Sequence, residues 1–305
     1  MRALITGVRG FVGPHLHAHL SECGDEVVGL DLNSGPDLRD GDGWAKVVAD
    51  AKPDVIYHLA GWSDVGKSWA DPTTTFAVNA LGTVSVLEAA RLADTGRVVM
   101  ISSADVYGTV TPDVLPLTEL HPAQPRSPYG ASKQAAEAAA LQYWRGHGVD
   151  TVIARPFNHL GPGQSLQFVA SAFAAQIVSV ESGGDSKLRH GDLSPHRDIT
   201  DVRDVVRAYR LLGTDGEPGE IYNVCSGQTV SMQHLLDALL ALSNAPVETE
   251  LDPDLIRPID LPVLRGSYAK LRAATGWEPE IHLDETLTLV LDDARQRHQV
   301  GLTRN

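Results

Sequence analysis

The start of the chain constrains its fold more than any other feature. A short apolar run, Ala3–Thr6, leads directly into Gly7-Val8-Arg9-Gly10-Phe11-Val12-Gly13, and an amphipathic stretch over Phe11–Cys23 follows. A strand that passes within a few residues into a helix needs a tight turn. One glycine serves a simple turn; three at this spacing also let backbone N–H groups approach a pyrophosphate at the helix N-terminus. The alternation continues. Runs at Glu26–Asp31, Asp54–Ala60, Arg97–Ser103 and Asp150–Pro156 are predicted strands, with helices near Trp44–Ala51, Pro72–Ala93 and Pro128–His147. Continuous apolar strands alternating with helices specify an α/β fold: a parallel, doubly wound sheet with helices on both faces.

Beyond Asn158 the alternation weakens. Further helices are predicted over Gln167–Ser182, Thr229–Ser243 and Asp284–His298, and Asp198–Leu212 is expected to return to the sheet. The proline-rich loop Asp252–Leu264 is expected to cover a ligand. Of the 305 residues 43% are hydrophobic, enough for a sizeable core and against disorder. A formal net charge of −14 argues against nucleic-acid or anionic-membrane partners, although a local basic pocket suffices for a nucleotide. No apolar run approaches the ~18 residues of a membrane span, and the N-terminus reads as a strand rather than a signal peptide. A cytoplasmic location is the expectation. Cys23 and Cys225 are expected to be buried free thiols, and the scattered histidines give no metal site.

The chemistry is carried by Ser127-Pro128-Tyr129-Gly130-Ala131-Ser132-Lys133. Residues four apart share a helix face, so Lys133 is expected to favour the Tyr129 phenolate and bring its pKa down toward neutrality. Such a tyrosine can move a proton to or from a sugar hydroxyl or ketone. Upstream, Ser102-Ser103-Ala104-Asp105-Val106-Tyr107-Gly108 closes the fourth strand at the sheet edge where ligands bind in such folds. Asp31 ends the second strand 18 residues after Gly13, where a carboxylate can accept from the adenosine ribose hydroxyls and repel a 2′-phosphate. That favours NAD(H); Arg9 in the glycine loop would admit NADP(H), unless it is simply an exposed loop residue.

Together the glycine loop, the strand-end serines and the Tyr129/Lys133 pair resemble the extended short-chain dehydrogenase/reductase family, in its nucleotide-sugar branch, over nearly the whole chain. The resemblance implies a Rossmann-like cofactor domain over 1–157, with a returning segment at about 198–225, and a smaller, mainly substrate-binding region over 158–305. For the cofactor it implies Gly7, Gly10, Phe11, Val12, Gly13 and Asp31, then Asp37 and Leu38 against the adenine. His58-Leu59-Ala60-Gly61 would pass the pyrophosphate and nicotinamide ribose, Asn79 would buttress that region, and Ser102 and Pro156 would border the site. Ser103 would donate to the reacting sugar oxygen, Tyr129 would be the general acid or base, and Lys133 would hold the nicotinamide ribose.

Dehydratases of the family carry adjacent acidic groups where this chain has Ala104-Asp105, and its epimerases often carry threonine at Asp105. The pattern looks most like the 4-ketoreductases; Asp105 is either catalytic or a turn carboxylate. Ala154-Arg155-Pro156-Phe157-Asn158-His159-Leu160-Gly161-Pro162-Gly163-Gln164 resembles the GDP-4-keto-6-deoxy-D-mannose reductases, which make GDP-D-rhamnose. There Asn158, Arg197 and Arg257 would bind the diphosphate and Asp260 a ribose hydroxyl, with Gly191-Asp192-Leu193 near the base, guanine or thymine. An NDP-sugar 4-epimerase with bound NAD, a dTDP-sugar reductase and a dinucleotide-sensing regulator are the alternatives. Relatives also imply a homodimer built through a four-helix bundle from Pro72–Ala93 and Pro128–His147, whose faces carry Ala135, Ala136, Ala138, Ala139 and Ala140.

Overall fold

The computed structural model describes residues 1–184, 187–256 and 262–301. The first part of the chain forms β1 (Arg2–Thr6), α1 (Val12–Glu22), β2 (Glu26–Leu30), α2 (Gly41–Ala51), β3 (Val55–His58), α3 (Val65–Ala70), α4 (Pro72–Phe76), α5 (Gly82–Leu92), β4 (Arg97–Ile101), α6 (Pro128–His147) and β5 (Thr151–Pro156). The remainder forms β6 (Asn158–Leu160), α7 (Val169–Glu181), β7 (Lys187–His190), β8 (His196–Asp201), α8 (Val202–Asp215), β9 (Ile221–Val224), β10 (Thr229–Ser231), α9 (Met232–Ala241), β11 (Glu248–Leu251), β12 (Val263–Leu264), α10 (Ala269–Thr275) and α11 (Leu283–Gln299).

Six strands pair in parallel in the order β2-β1-β3-β4-β5-β9. Successive strand side chains point to opposite faces, and that alternation builds two cores. Ala3 and Ile5 join Leu16 and Leu20 of α1, Tyr209 and Leu212 of α8, and Trp277 on one face. Leu4 joins Trp44, Val48, Val86, Leu87 and Ala136 on the other. The stretch expected to return to the sheet does so: α8 packs on the first face, and β9 pairs with β5.

The helix predicted over Pro128–His147 is α6. Ser127 caps it by accepting from the Gly130 N–H, Pro128 occupies the first turn, and Gly148 ends it at φ 73°. The helix predicted over Pro72–Ala93 is interrupted instead. After α4 the chain widens into a π-helical turn, Ala77–Leu81, before α5 resumes. The wide turn contains Asn79, whose side chain is turned inward onto Trp62. Of the thiols expected to be buried, Cys225 is and Cys23 is exposed, because Cys23 caps the end of α1 rather than facing the sheet.

Helices α7, α9 and α11 pack a separate core from Phe173, Ile177, Leu235, Leu236, Leu239, Leu287 and Leu291. Strand β8 lies between β10 and β12 and also pairs with β6, which ties this region to the end of β5. Asp198 of β8, fully buried, accepts from Ser226 N and Oγ, Gly227 N and Gly266 N. One carboxylate thereby fastens two loops to β8 beside the C-terminal sheet edge.

Candidate active site

The glycine loop sits at that edge. Gly7 has φ 77°, and a Cβ there would lie 2.9 Å from the backbone of Ala60, after β3. A Cβ on Gly13 would lie 2.4 Å from the Val8 carbonyl oxygen. Only glycines let these two loops and the first turn of α1 close this tightly, which leaves a backbone-lined cradle at a helix N-terminus. The residues present fit the pyrophosphate of a dinucleotide.

Asp31 follows β2. Its Oδ1 accepts from Asn33 N at 2.9 Å and Ser34 Oγ at 3.1 Å, and its Oδ2 lies 3.4 Å from Arg9 Nε. The structure therefore pairs the two residues that pull cofactor choice in opposite directions. Asp37 is held in a bidentate pair with Arg39, whose hydrogen bonds bring its carboxyl down to about 2. The Leu38 side chain is buried in the core against Gly82. Leu59 and Ala60 are half-buried and Gly61 is exposed. Asn79 clamps this loop, accepting from Trp62 N at 2.7 Å and donating to Trp62 O at 3.0 Å and Ser132 Oγ at 2.9 Å. Phe11 stacks on His159 with centroids 5.7 Å apart, and His15 reaches the Pro162 carbonyl at 2.8 Å. The glycine loop and the segment after β5 thus pack as one piece.

Strand β4 ends at Ile101, and the next residues are fastened in turn. Lys133 Nζ donates to Ile101 O at 2.8 Å; Ser102 Oγ donates to Glu137 Oε1 at 2.5 Å. Ser103 Oγ accepts from Asp105 N at 3.1 Å, capping a 3-10 turn over Ala104–Tyr107. Tyr129 is 9% exposed and its N–H donates to Ser68 Oγ. The expected fall of the Tyr129 pKa toward neutrality does not occur. Burial pushes it well above its ordinary value, the Asp105 charge adds to that, and a hydrogen bond with Ser103 only partly opposes them. Lys133 is itself brought down to about 8 by burial, against the pull of Glu137.

His58 lies beneath the site, fully enclosed. Its Nδ1 is 2.8 Å from Thr6 Oγ1 and its Nε2 is 3.1 Å from Thr83 Oγ1. Thr83 spends its one hydroxyl hydrogen on Asn79 O, so Nε2 must donate to it, and Nδ1 accepts from Thr6. Burial and the Lys133 charge hold His58 neutral, at about 3.

On the substrate side Asn158 is exposed on β6, in register with Ile199. Arg197 lies two residues before Ile199, so the strand period puts it on the same face as Asn158. Arg197 Nη1 donates to the His196 carbonyl at 2.8 Å. Pro156 is buried at the end of β5. Arg257 and Asp260 lie outside the described residues. Sequence reasoning gave no role to Glu137 or Arg155, and it placed His58 beside the cofactor rather than beneath the site. The signals were an acid one turn after Lys133 and an arginine inside the buried strand TVIARP, which has to be paired.

With this geometry in place, the comparisons fix the class. The model of the GDP-mannose 4,6 dehydratase family matches residues 31–290. The chain belongs to that family, within the extended short-chain dehydrogenases/reductases. It is 38% identical to GDP-6-deoxy-D-mannose reductase of Pseudomonas aeruginosa over 97% of this chain and 98% of that protein. The structure of RMD from Pseudomonas aeruginosa complexed with NADPH superposes with a TM-score of 0.91 at 38% identity, covering 97% of this chain and 100% of that one. Thermus thermophilus UDP-glucose 4-epimerase in complex with NAD gives 0.86 at 32% identity, covering 97% and 99%.

The buried histidine sets a pH dependence. An imidazole neutral in the fold to about 3, and ordinarily protonated near 6.5, leaves the unfolded state binding the extra proton between those values. Stability should fall as pH drops from about 6.5 toward about 3. Urea unfolding should show a shallower fall for His58→Gln; parallel profiles would assign the acid sensitivity elsewhere.

Proposed function

We propose that this chain is an NAD(P)H-dependent reductase of a nucleoside-diphosphate 4-keto-6-deoxyhexose, converting GDP-4-keto-6-deoxy-D-mannose to GDP-D-rhamnose. The observation that carries it is the content of the 3-10 turn beside Tyr129. Ala104 is buried and cannot act as an acid, and Asp105 is one methylene short of the glutamate that a dehydratase needs at C5. The reductase of Pseudomonas aeruginosa, similar along the whole chain, supports the same reading and the guanine base.

Reduced nicotinamide supplies the hydride for the sugar C4. The buried Tyr129 phenol, its pKa high, keeps its proton until an alkoxide more basic than itself needs it. Ser103 accepts from the Asp105 N–H, so its own hydrogen can stabilise the C4 oxygen. The Lys133 ammonium offsets the phenolate left behind and would hold the nicotinamide ribose. Gly7, Gly10, Gly13 and the first turn of α1 would hold the pyrophosphate, and Asp31 the adenosine ribose. Asn158 and Arg197 would hold the sugar-nucleotide diphosphate, with Arg257 and Asp260 assigned from sequence.

A UDP-sugar 4-epimerase with retained NAD is the second reading, favoured by the likeness to the Thermus thermophilus enzyme. The division into a cofactor domain over 1–157 and a substrate region over 158–305 belongs to the proposal, as does a cytoplasmic location, which the two free thiols support. So does a homodimer. Ala136 and Ala140 of α6 are buried within the chain, but Ala138 faces out, and Trp69 and Leu81 on the neighbouring helices are 61% and 63% exposed. A second copy of α3–α6 would cover them.

Adding a 4-keto-6-deoxy sugar nucleotide should consume reduced nicotinamide stoichiometrically, with no solvent deuterium entering C5, and Tyr129→Phe should lose at least ~10²-fold in turnover while still binding cofactor. Sugar inversion without cofactor consumption would promote the epimerase; dehydration of GDP-mannose would promote the dehydratase. For cofactor choice, NADH should be used better than NADPH, with Asp31→Ala narrowing the gap and Arg9→Ala widening it. A strong wild-type preference for NADPH would give the decision to Arg9. Sedimentation at micromolar concentration should show a dimer that Leu81→Glu weakens; a wild-type monomer rejects the bundle.

A further inference from the structure

Glu137 and Arg155 form an ion pair inside the molecule, each side chain 5% exposed. Arg155 Nε and Nη2 meet Glu137 Oε1 and Oε2 at 2.8 and 2.7 Å, a bidentate fork. Breaking such a pair is costly, and well-packed apolar residues would often hold a core as well. A buried pair at this location therefore calls for an explanation beyond stability. Its contacts supply one. Glu137 Oε1 also accepts from Ser102, the residue before Ser103. Glu137 lies one turn after Lys133 on the same helix face. The Arg155 guanidinium lies 4.8 Å over the ring of Tyr107, in the 3-10 turn that carries Asp105. The Tyr107 hydroxyl then donates to Asn223 Oδ1 at 2.7 Å. The pair touches α6, the end of β4, the 3-10 turn and β5, four of the pieces that meet around the reacting groups.

We propose that the Glu137–Arg155 pair is the positioning element of this site: it fixes Ser103 through Ser102 and fixes the 3-10 turn through Tyr107, while Glu137 supports the charge of Lys133. The proposal rests on the ketoreductase reading only for its activity readout. Among the described residues, Glu137 of α6 and neutral His58 of β3 are the ionisable groups that act on Lys133, Arg155 of β5 stands behind Glu137, and Asp105 of the turn acts on Tyr129. Glu137 is the acid that raises the Lys133 pKa against burial.

Three variants test this. Glu137→Gln removes the charge, Glu137→Gln with Arg155→Met removes both charges so that none is left unpaired, and Ser102→Ala removes only the tether. Each should lower turnover by ~10–100-fold, the scale on which displaced reacting groups are felt. The two charge variants should also move the alkaline limb of the turnover profile to lower pH; Ser102→Ala should not. A second readout needs neither cofactor nor substrate. Lys133 loses its proton near 8 in the fold and near 10.5 when unfolded, so stability against urea rises with pH across that window. Without Glu137 the folded value drops further, and the rise should begin at lower pH. Charge variants whose two pH profiles superimpose on the wild type, or Ser102→Ala with wild-type turnover, would overturn the proposal. A shifted stability profile in a protein that reduces no 4-keto sugar would reject the ketoreductase reading and leave the positioning role standing.

Discussion

Burial of the Lys133 ammonium is the constraint on which the catalytic edge depends. An ammonium taken out of water loses its hydration, and the loss is recovered only by groups already in place. Here those groups are the Ile101 carbonyl at 2.8 Å and the Glu137 carboxylate one turn along the helix. Burial acts likewise on His58, and the nearby Lys133 charge adds to it, so the imidazole stays neutral. Its neutral ring carries one hydrogen, and Thr83, which spends its own on Asn79 O, places that hydrogen on Nε2. The ring bridges Thr6 and Thr83, and through Asn79 the chain of hydrogen bonds reaches Trp62 and Ser132. One connected set of polar contacts beside the buried Lys133 thus runs from the end of β1 to the first turns of α6.

The cofactor end follows a different rule, that of close backbone approach. Gly7 against Ala60 and Gly13 against Val8 leave no room for a side chain, so the turn is decided by atoms that are absent. Residue choice there is consequently sharp, and the sequence shows it. What the sequence does not show is that Phe11 and His15 lean on His159 and Pro162. Through those rings the cofactor loop and the segment bearing Asn158 are packed together, although some 150 residues separate them along the chain.

This contrast describes what could be read in advance. The parallel sheet, the glycine loop and α6 were legible because their signals are local: apolar runs, glycine spacing, and Ser127 and Pro128 at one helix end with Gly148 at the other. The expected long helix over Pro72–Ala93 failed because the interruption answers to Asn79 and Trp62, which meet only in the fold. The short strands β7, β10, β11 and β12 carry too few residues for a period to register. The Tyr129 pKa was misjudged for a related reason. Spacing places Lys133 on the tyrosine's face, but says nothing about how deeply both are buried, and burial and the Asp105 charge raise the phenol's pKa.

A phenol with a raised pKa also bears on which chemistry this edge suits. An enzyme that must first oxidise a sugar hydroxyl needs a base there, whereas burial and the Asp105 charge favour the protonated form of Tyr129. Reduction of a ketone asks for the reverse, a proton held until an alkoxide develops. Dehydration further asks for an acid and a base beside the serine, where this chain offers a buried alanine and a short aspartate whose N–H is tied to Ser103. Fold, glycine loop and Tyr129/Lys133 pair are common property of reductases, epimerases and dehydratases in this family and cannot separate them. The separation from the dehydratases rests on two residues of one 3-10 turn, a buried alanine at 104 and an aspartate rather than a glutamate at 105.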